Sequence, residues 1–139
     1  RSSAASDVYK RQGFIGIGSA PEFLDRLIWQ KLKNSEKKWF LEKKFYMLKS
    51  DGYEYKIKLA LVKDGRKNKV LNKKINSKIP VFLIHGKKDD VVPLKLSKKI
   101  FSIFPKAKKK IQIIKGGDHS LSRKGDLNKL ANLIDEIIH

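Results

Sequence analysis

Residues 80–93 read PVFLIHGKKDDVVP, and the fold follows from how that stretch divides. Val81, Phe82, Leu83 and Ile84 form a β-branched, aliphatic and aromatic run. Pro80 bounds it on one side and His85-Gly86 on the other, as expected of a central strand. Downstream, residues 94–104 space their apolar side chains as an amphipathic helix that stops before Pro105. Residues 110–115 (KIQIIK) make a second short strand, ended by Gly116-Gly117. Leu127, Leu130, Leu133, Ile134, Ile137 and Ile138 then mark the apolar side of a last helix. The order from Pro80 is strand, loop, helix, strand, loop, helix. That alternation predicts an α/β protein with a parallel sheet and crossover helices.

Working upstream, residues 13–18 (GFIGIG) are a third apolar run, read as a buried parallel strand and giving a sheet of about three. Ser19, Ala20 and Pro21 break it. From Glu22 the residues Phe23, Leu24, Leu27, Ile28 and Leu32 recur at helical spacing. A second helix is expected after Ser35 as N-cap, with Trp39, Phe40, Phe45 and Leu48 on its apolar side. Ser50-Asp51-Gly52 signals a turn, residues 53–63 read as helical, and residues 70–78 as polar loop.

The chain has 139 residues, 40% of them hydrophobic, enough for one domain core and too few for two. No run approaches the roughly eighteen apolar residues of a membrane span. With no cysteine there are no disulfides or thiolate zinc sites, which fits a cytoplasmic protein. Three scattered histidines offer no metal constellation, so no metal or other cofactor is expected. The net charge of +19 raises nucleic acid as a partner. Only Arg1, Arg11, Arg26, Arg66 and Arg123 are arginines among the 33 cations, however, and the lysines are spread through every segment. Base reading favours the arginine fork and a clustered face. The charge therefore reads as compositional bias, and no specific nucleic-acid partner is expected.

The chemistry falls in two loops after the C-terminal ends of the two later strands, where α/β sheets place their catalysts. Residues 85–93 (HGKKDDVVP) offer a carboxylate and residues 116–120 (GGDHS) an imidazole. A carboxylate bonded to histidine Nδ1–H fixes the tautomer and stabilises the imidazolium formed when the ring takes a proton. An aspartate of the first loop, Asp89 or Asp90, and His119 of the second are the candidates for acid and base. Asp90 is the neighbour that could exchange roles with Asp89, while Asp118 reads as a turn or capping group. His85 reads as a packing residue at the strand end that shapes the acid loop. His139 is terminal and solvated.

The strand VFLIHG followed by KKDDVVP resembles the acid loop of α/β hydrolases, with Asp89 three residues after Gly86 and Val92-Pro93 completing the motif. His119 then matches the base loop, and the family's order of nucleophile, acid, base requires a serine before Asp89. No serine here stands in Gly-x-Ser-x-Gly; Ser19, in IGSAP, is the one decoy and lacks both flanking glycines. The stretches GIGSAPEFLDRLIW and SDGYEYKIKLALVKDGRKNKVL are similar to a bacterial branch of the family, related to a mitochondrial palmitoyl-protein thioesterase and acyl-glucuronide esterase. The resemblance implies a small helical lid over residues 19–78, with residues 79–139 carrying the acid and base loops. It also implies a serine hydrolase acting on a small-molecule acyl ester or thioester. On the lid, Phe23 and Trp29 are packing residues that could line an acyl pocket. A peptidase with the same triad, or a noncatalytic interaction protein of the same fold, stays open.

Residues 1–12 (RSSAASDVYKRQ) stand apart: DVYKRQ resembles a translated transposase adapter of the kind used in sequencing libraries. On that reading residues 13–139 are the C-terminal part of one α/β-hydrolase domain from a metagenomic fragment. The nucleophile then lies about one strand and one helix upstream, and the chain alone is inactive.

Overall fold

The structure is a computed structural model and describes residues 13–50 and 52–139. The adapter-like leader and Asp51 of the expected turn lie outside the described residues. The chain divides into two compact units, residues 13–20 with 71–139, and Pro21–Val70, inside the span expected of the lid.

The first unit is a three-stranded parallel sheet in the order β1-β4-β5, as the alternation predicted. Its strands are β1 (Phe14–Ile17), β4 (Val81–Gly86) and β5 (Lys109–Ile114); β2 (Phe45–Ser50) and β3 (Tyr53–Lys58) belong to the other unit. Phe14 is paired with Val81 and Ile17 with Ile84, while Val81 faces Lys109 and Gly86 faces Ile114 on the opposite edge. With neighbours on both edges, β4 is buried at every position. Full burial of one aliphatic or aromatic side chain stabilises by ~1.5–3 kcal/mol, so Val81, Phe82, Leu83 and Ile84 anchor the unit.

Successive side chains of β4 point to opposite faces. Phe82 and Ile84 join Ile114, Leu121 and Leu133 in one core cluster, with Ile15, Leu130 and Ile137 packed against it. Leu133, Leu130 and Ile137 come from the last helix, Lys124–Ile138. The crossover helix Leu94–Ile103 buries Leu96, Ser97, Ile100 and Ile103, and His85 meets it through Ser97.

The second unit is richer in strand than the sequence reading expected. It opens on a π-helical turn, Leu24–Ile28, and a 3₁₀ turn, Trp29–Lys31. Asp25 is turned inward here, and its carboxylate accepts from Arg66 Nε at 2.8 Å and from Gln30 at 3.2 Å. Helix α1 (Asn34–Lys43) starts one residue before the expected cap: Glu36 accepts the Lys33 N–H at 2.7 Å, so Ser35 is not the N-cap. It ends at Lys44, which adopts φ 67° and donates its N–H to Phe40.

Phe45 and Leu48 are therefore not on that helix. They lie on β2 (Phe45–Ser50), antiparallel to β3 (Tyr53–Lys58), with helix α2 (Leu59–Lys67) following. The expected helix over 53–63 is thus a strand running into a helix. Tyr53, Tyr55 and Ile57 alternate with Glu54, Lys56 and Lys58, a period of two that suits a pleated ribbon. Tyr46 faces Ile57 and Leu48 faces Tyr55 across it. Gly52, at φ 79°, takes the left-handed position that a two-residue Asp-Gly hairpin loop requires. Phe40, Leu59 and Val62 form this unit's core. Among the described residues no helix is long and apolar enough to cross a membrane.

Candidate active site

Two backbone contacts bring the acid loop and the base loop together. Lys87 N–H donates to Ile114 at 2.8 Å and Lys88 N–H donates to Gly117 at 2.8 Å. At Gly86 a Cβ would collide with the carbonyl oxygens of Gly117 and Asp118. A side chain there would push the loops apart, so this glycine serves close backbone approach. The loop beyond Gly117 is held by Asp118 Oδ1, which accepts from Leu121 N at 3.0 Å and Ser120 Oγ at 2.9 Å. That is the turn-forming role expected of Asp118, and Leu121 takes up the bend at φ 47°.

Within this frame Asp89 Oδ2 lies 2.9 Å from His119 Nδ1. Asp90, exposed, is not the partner. Asp89 Oδ1 accepts the N–H groups of Val92 at 2.7 Å and Val91 at 2.9 Å, an Asx-type turn that fixes the carboxylate plane. Its side chain is 1% exposed, whereas that of His119 is 44% exposed. Burial pushes the Asp89 carboxyl upward. The hydrogen bonds from Val92, His119 and Val91, with the His119 charge, outweigh it and hold the group below the ordinary carboxylate range. An anionic, immobile acceptor thus faces Nδ1 of an accessible imidazole, and Nε2 is the ring's other exchange position.

Gly18, at the end of β1, closes one side of the pair. It sits at φ 48°, and a Cβ there would lie 3.4 Å from His119 Nδ1 and 3.5 Å from Asp89 Oδ2. Ser19 turns back over the strand, with its Oγ against Gly16.

The chain is similar in sequence and structure to several known proteins. No family model matches the chain. The mitochondrial palmitoyl-protein thioesterase ABHD10 of Bos taurus is 31% identical over 84 residues, 60% of this chain and 28% of that protein. Its Homo sapiens counterpart is 26% identical over 130 residues, 89% of this chain and 41% of that protein. A putative hydrolase from Agrobacterium vitis superposes with a TM-score of 0.85 at 29% identity, covering 91% of this chain and 49% of the other. Mouse α/β hydrolase domain-containing protein 10 superposes with a TM-score of 0.77 at 28% identity, covering 89% and 50%. This chain is an α/β-hydrolase-fold relative of that branch. It spans about half the length of the solved relatives and less of the curated ones.

Trp29, Phe23 and His85 were also singled out in the sequence. Trp29 packs at 5.4 Å on Phe40, with the Arg66 guanidinium 4.7 Å above its ring, so it is tied into the core of the Pro21–Val70 unit. Phe23 is half exposed and lines a cavity of ≈ 190 Å³ with Glu22, Leu24, Asp25, Gly65 and Asn68. His85 is fully buried at the strand end: Nε2 lies 2.8 Å from the Val92 carbonyl and Nδ1 2.6 Å from Ser97 Oγ. Ser97 was not singled out in the sequence. Its signal was a hydroxyl in register with Leu96, Ile100 and Ile103 on the buried side of an amphipathic helix, where a polar group must find a partner.

Proposed function

We propose that this chain supplies the acid and base of a serine hydrolase that cleaves carboxylic esters or thioesters through an acyl-enzyme. The observation that carries the proposal is the 2.9 Å contact of buried, ionised Asp89 with Nδ1 of accessible His119. With its Nδ1 proton held on Asp89, His119 presents the Nε2 lone pair to a serine hydroxyl. Nε2 takes the hydroxyl proton as the serine oxygen bonds to the acyl carbon, and Asp89 stabilises the resulting imidazolium. His119 then passes that proton to the departing alkoxide or thiolate. In the second half-reaction it takes a proton from water as the water attacks the acyl-enzyme, and returns it to the serine.

The nucleophile is assigned to sequence upstream of Gly13, because no serine here stands in a Gly-x-Ser-x-Gly elbow. The oxyanion donors, backbone N–H groups beside that serine, are assigned there too. A thioester substrate is favoured by the thioesterase name carried by the curated relatives.

The test uses the whole coding sequence that contains this chain. Expected outcomes are covalent labelling by a fluorophosphonate probe and hydrolysis of p-nitrophenyl esters and acyl thioesters. Asp89→Asn should reduce kcat by about 10³–10⁴-fold, since an amide leaves the imidazole in the wrong tautomer. The 139-residue chain alone should remain unlabelled. Labelling of the isolated chain, or full activity in His119→Ala, would overturn the reading.

A further inference from the structure

His85 and Ser97 extend the Asp89–His119 pair into the interior, and their chemistry is more specific than strand-end packing. The His85 ring is fully buried, and its Nε2 lies between two oxygens, the Val92 carbonyl at 2.8 Å and Asp89 Oδ2 at 3.2 Å. Neither a carbonyl nor an ionised carboxylate can donate, so Nε2 carries the proton. Nδ1 is then the acceptor, and the Ser97 hydroxyl 2.6 Å away donates to it. The hydrogen bonds run in one direction: Ser97 to His85, His85 to Val92, and His119 to Asp89, with His85 Nε2 also 3.2 Å from Asp89 Oδ2.

We propose that His85 is a positioning residue for Asp89. Held as its Nε2–H tautomer by Ser97, it decides which carboxylate oxygen meets His119. The accounting at the carboxylate supports this. Oδ1 accepts the N–H groups of Val91 and Val92, Oδ2 faces His119 Nδ1, and the His85 Nε2 stands 3.2 Å from that same Oδ2. Val92 is held from both ends, its N–H on Asp89 and its carbonyl on His85. Rotation of the carboxylate therefore breaks bonds on both oxygens. An apolar residue at position 85 would fill the same space, leave the Val92 carbonyl unpaired in a buried site and take away the polar neighbour of Oδ2. The geometric claim stands on these contacts alone; its meaning for catalysis rests on the acid–base reading above.

The test is nitrogen-15 NMR of the histidine-labelled chain. His85 should show a protonated Nε2 and an unprotonated Nδ1, and His119 a low-field Nδ1–H resonance. In His85→Phe that resonance should broaden or vanish. In His85→Gln, whose amide can still donate toward Val92 and Asp89, it should persist. If His85→Phe does not fold, Ser97→Ala, which deletes one hydroxyl, should still move both the His85 ring signals and the His119 resonance. A folded His85→Phe or Ser97→Ala chain with an unchanged His119 resonance overturns the proposal. So does a wild-type His85 protonated at Nδ1 instead of Nε2.

In the whole enzyme, Ser97→Ala should lower kcat about tenfold (~1.4 kcal/mol) with KM unchanged, and Ser97→Thr should restore it. A KM change without a kcat change would overturn the catalytic meaning. An inactive wild-type enzyme would sink the hydrolase reading and leave the positioning claim to the spectra.

Discussion

At Asp89 two opposing influences meet, and their balance is measurable. Burial disfavours the charge, while N–H donors on both oxygens favour it, and the donors prevail. The carboxyl pKa is therefore lower in the folded state than in the unfolded one, where it is about 3.9. A depressed folded pKa stabilises above the unfolded value, and that stability is lost as pH falls through the folded value. The expected outcome is a urea midpoint that drops as pH is lowered from about 4 toward 2, and drops less in Asp89→Asn. Equal acid sensitivity in both chains would contradict it. The pairing of Asp89 with His119 was legible because both loops follow strand ends, and the resemblance of the acid loop to α/β hydrolases picked Asp89 over Asp90. Ser97 was not, since a lone serine on a helix says nothing until the side chain opposite it is known.

Elements were legible in proportion to the purity of their periodicity. Strand β4, apolar at four successive positions, and the two helices of its unit fell close to where spacing placed them. The β2–β3 hairpin did not. Phe40, Phe45 and Leu48 mimic a helical stripe in number, but helix α1 stops at the left-handed Lys44, and the residues beyond it pair across strands. The deciding clue was Asp-Gly ahead of the alternating run YEYKIK, which marks a hairpin more strongly than a loose apolar stripe marks a helix. Gly52 makes this testable. Open space surrounds it, so Ala there would clash with nothing and would bear only the positive-φ strain. Gly52→Ala should destabilise the Pro21–Val70 unit by about 1–2 kcal/mol, measured by denaturation monitored at Trp29 and Trp39. An unchanged midpoint would mean that the loop adopts another conformation.

For the whole molecule the net charge of +19 is the dominant long-range property. Lysines such as Lys49 and Lys110 find single carboxylate partners at 3.3 and 2.6 Å, but with 33 cations to 14 anions most cannot. Self-repulsion of this kind is screened within about 8 Å at physiological salt. The melting temperature should therefore rise as sodium chloride is added from low ionic strength. Binding to DNA should be weak, indifferent to sequence, and lost by a few hundred millimolar salt. Sequence-selective binding that survives such salt would show that the lysines form a true recognition face.

The two bonds that tie the acid loop to the base loop have a kinetic consequence. Lys87 and Lys88 are exposed, yet their amide hydrogens are engaged by the carbonyls of Ile114 and Gly117. Two exposed residues should thus resist deuterium uptake as the core strands do. Their exchange times how often the acid and the base part company. If they exchange only with global unfolding, Asp89 and His119 are never separated while the sheet stands. If they exchange sooner, the pair opens and closes as a small cooperative unit of its own.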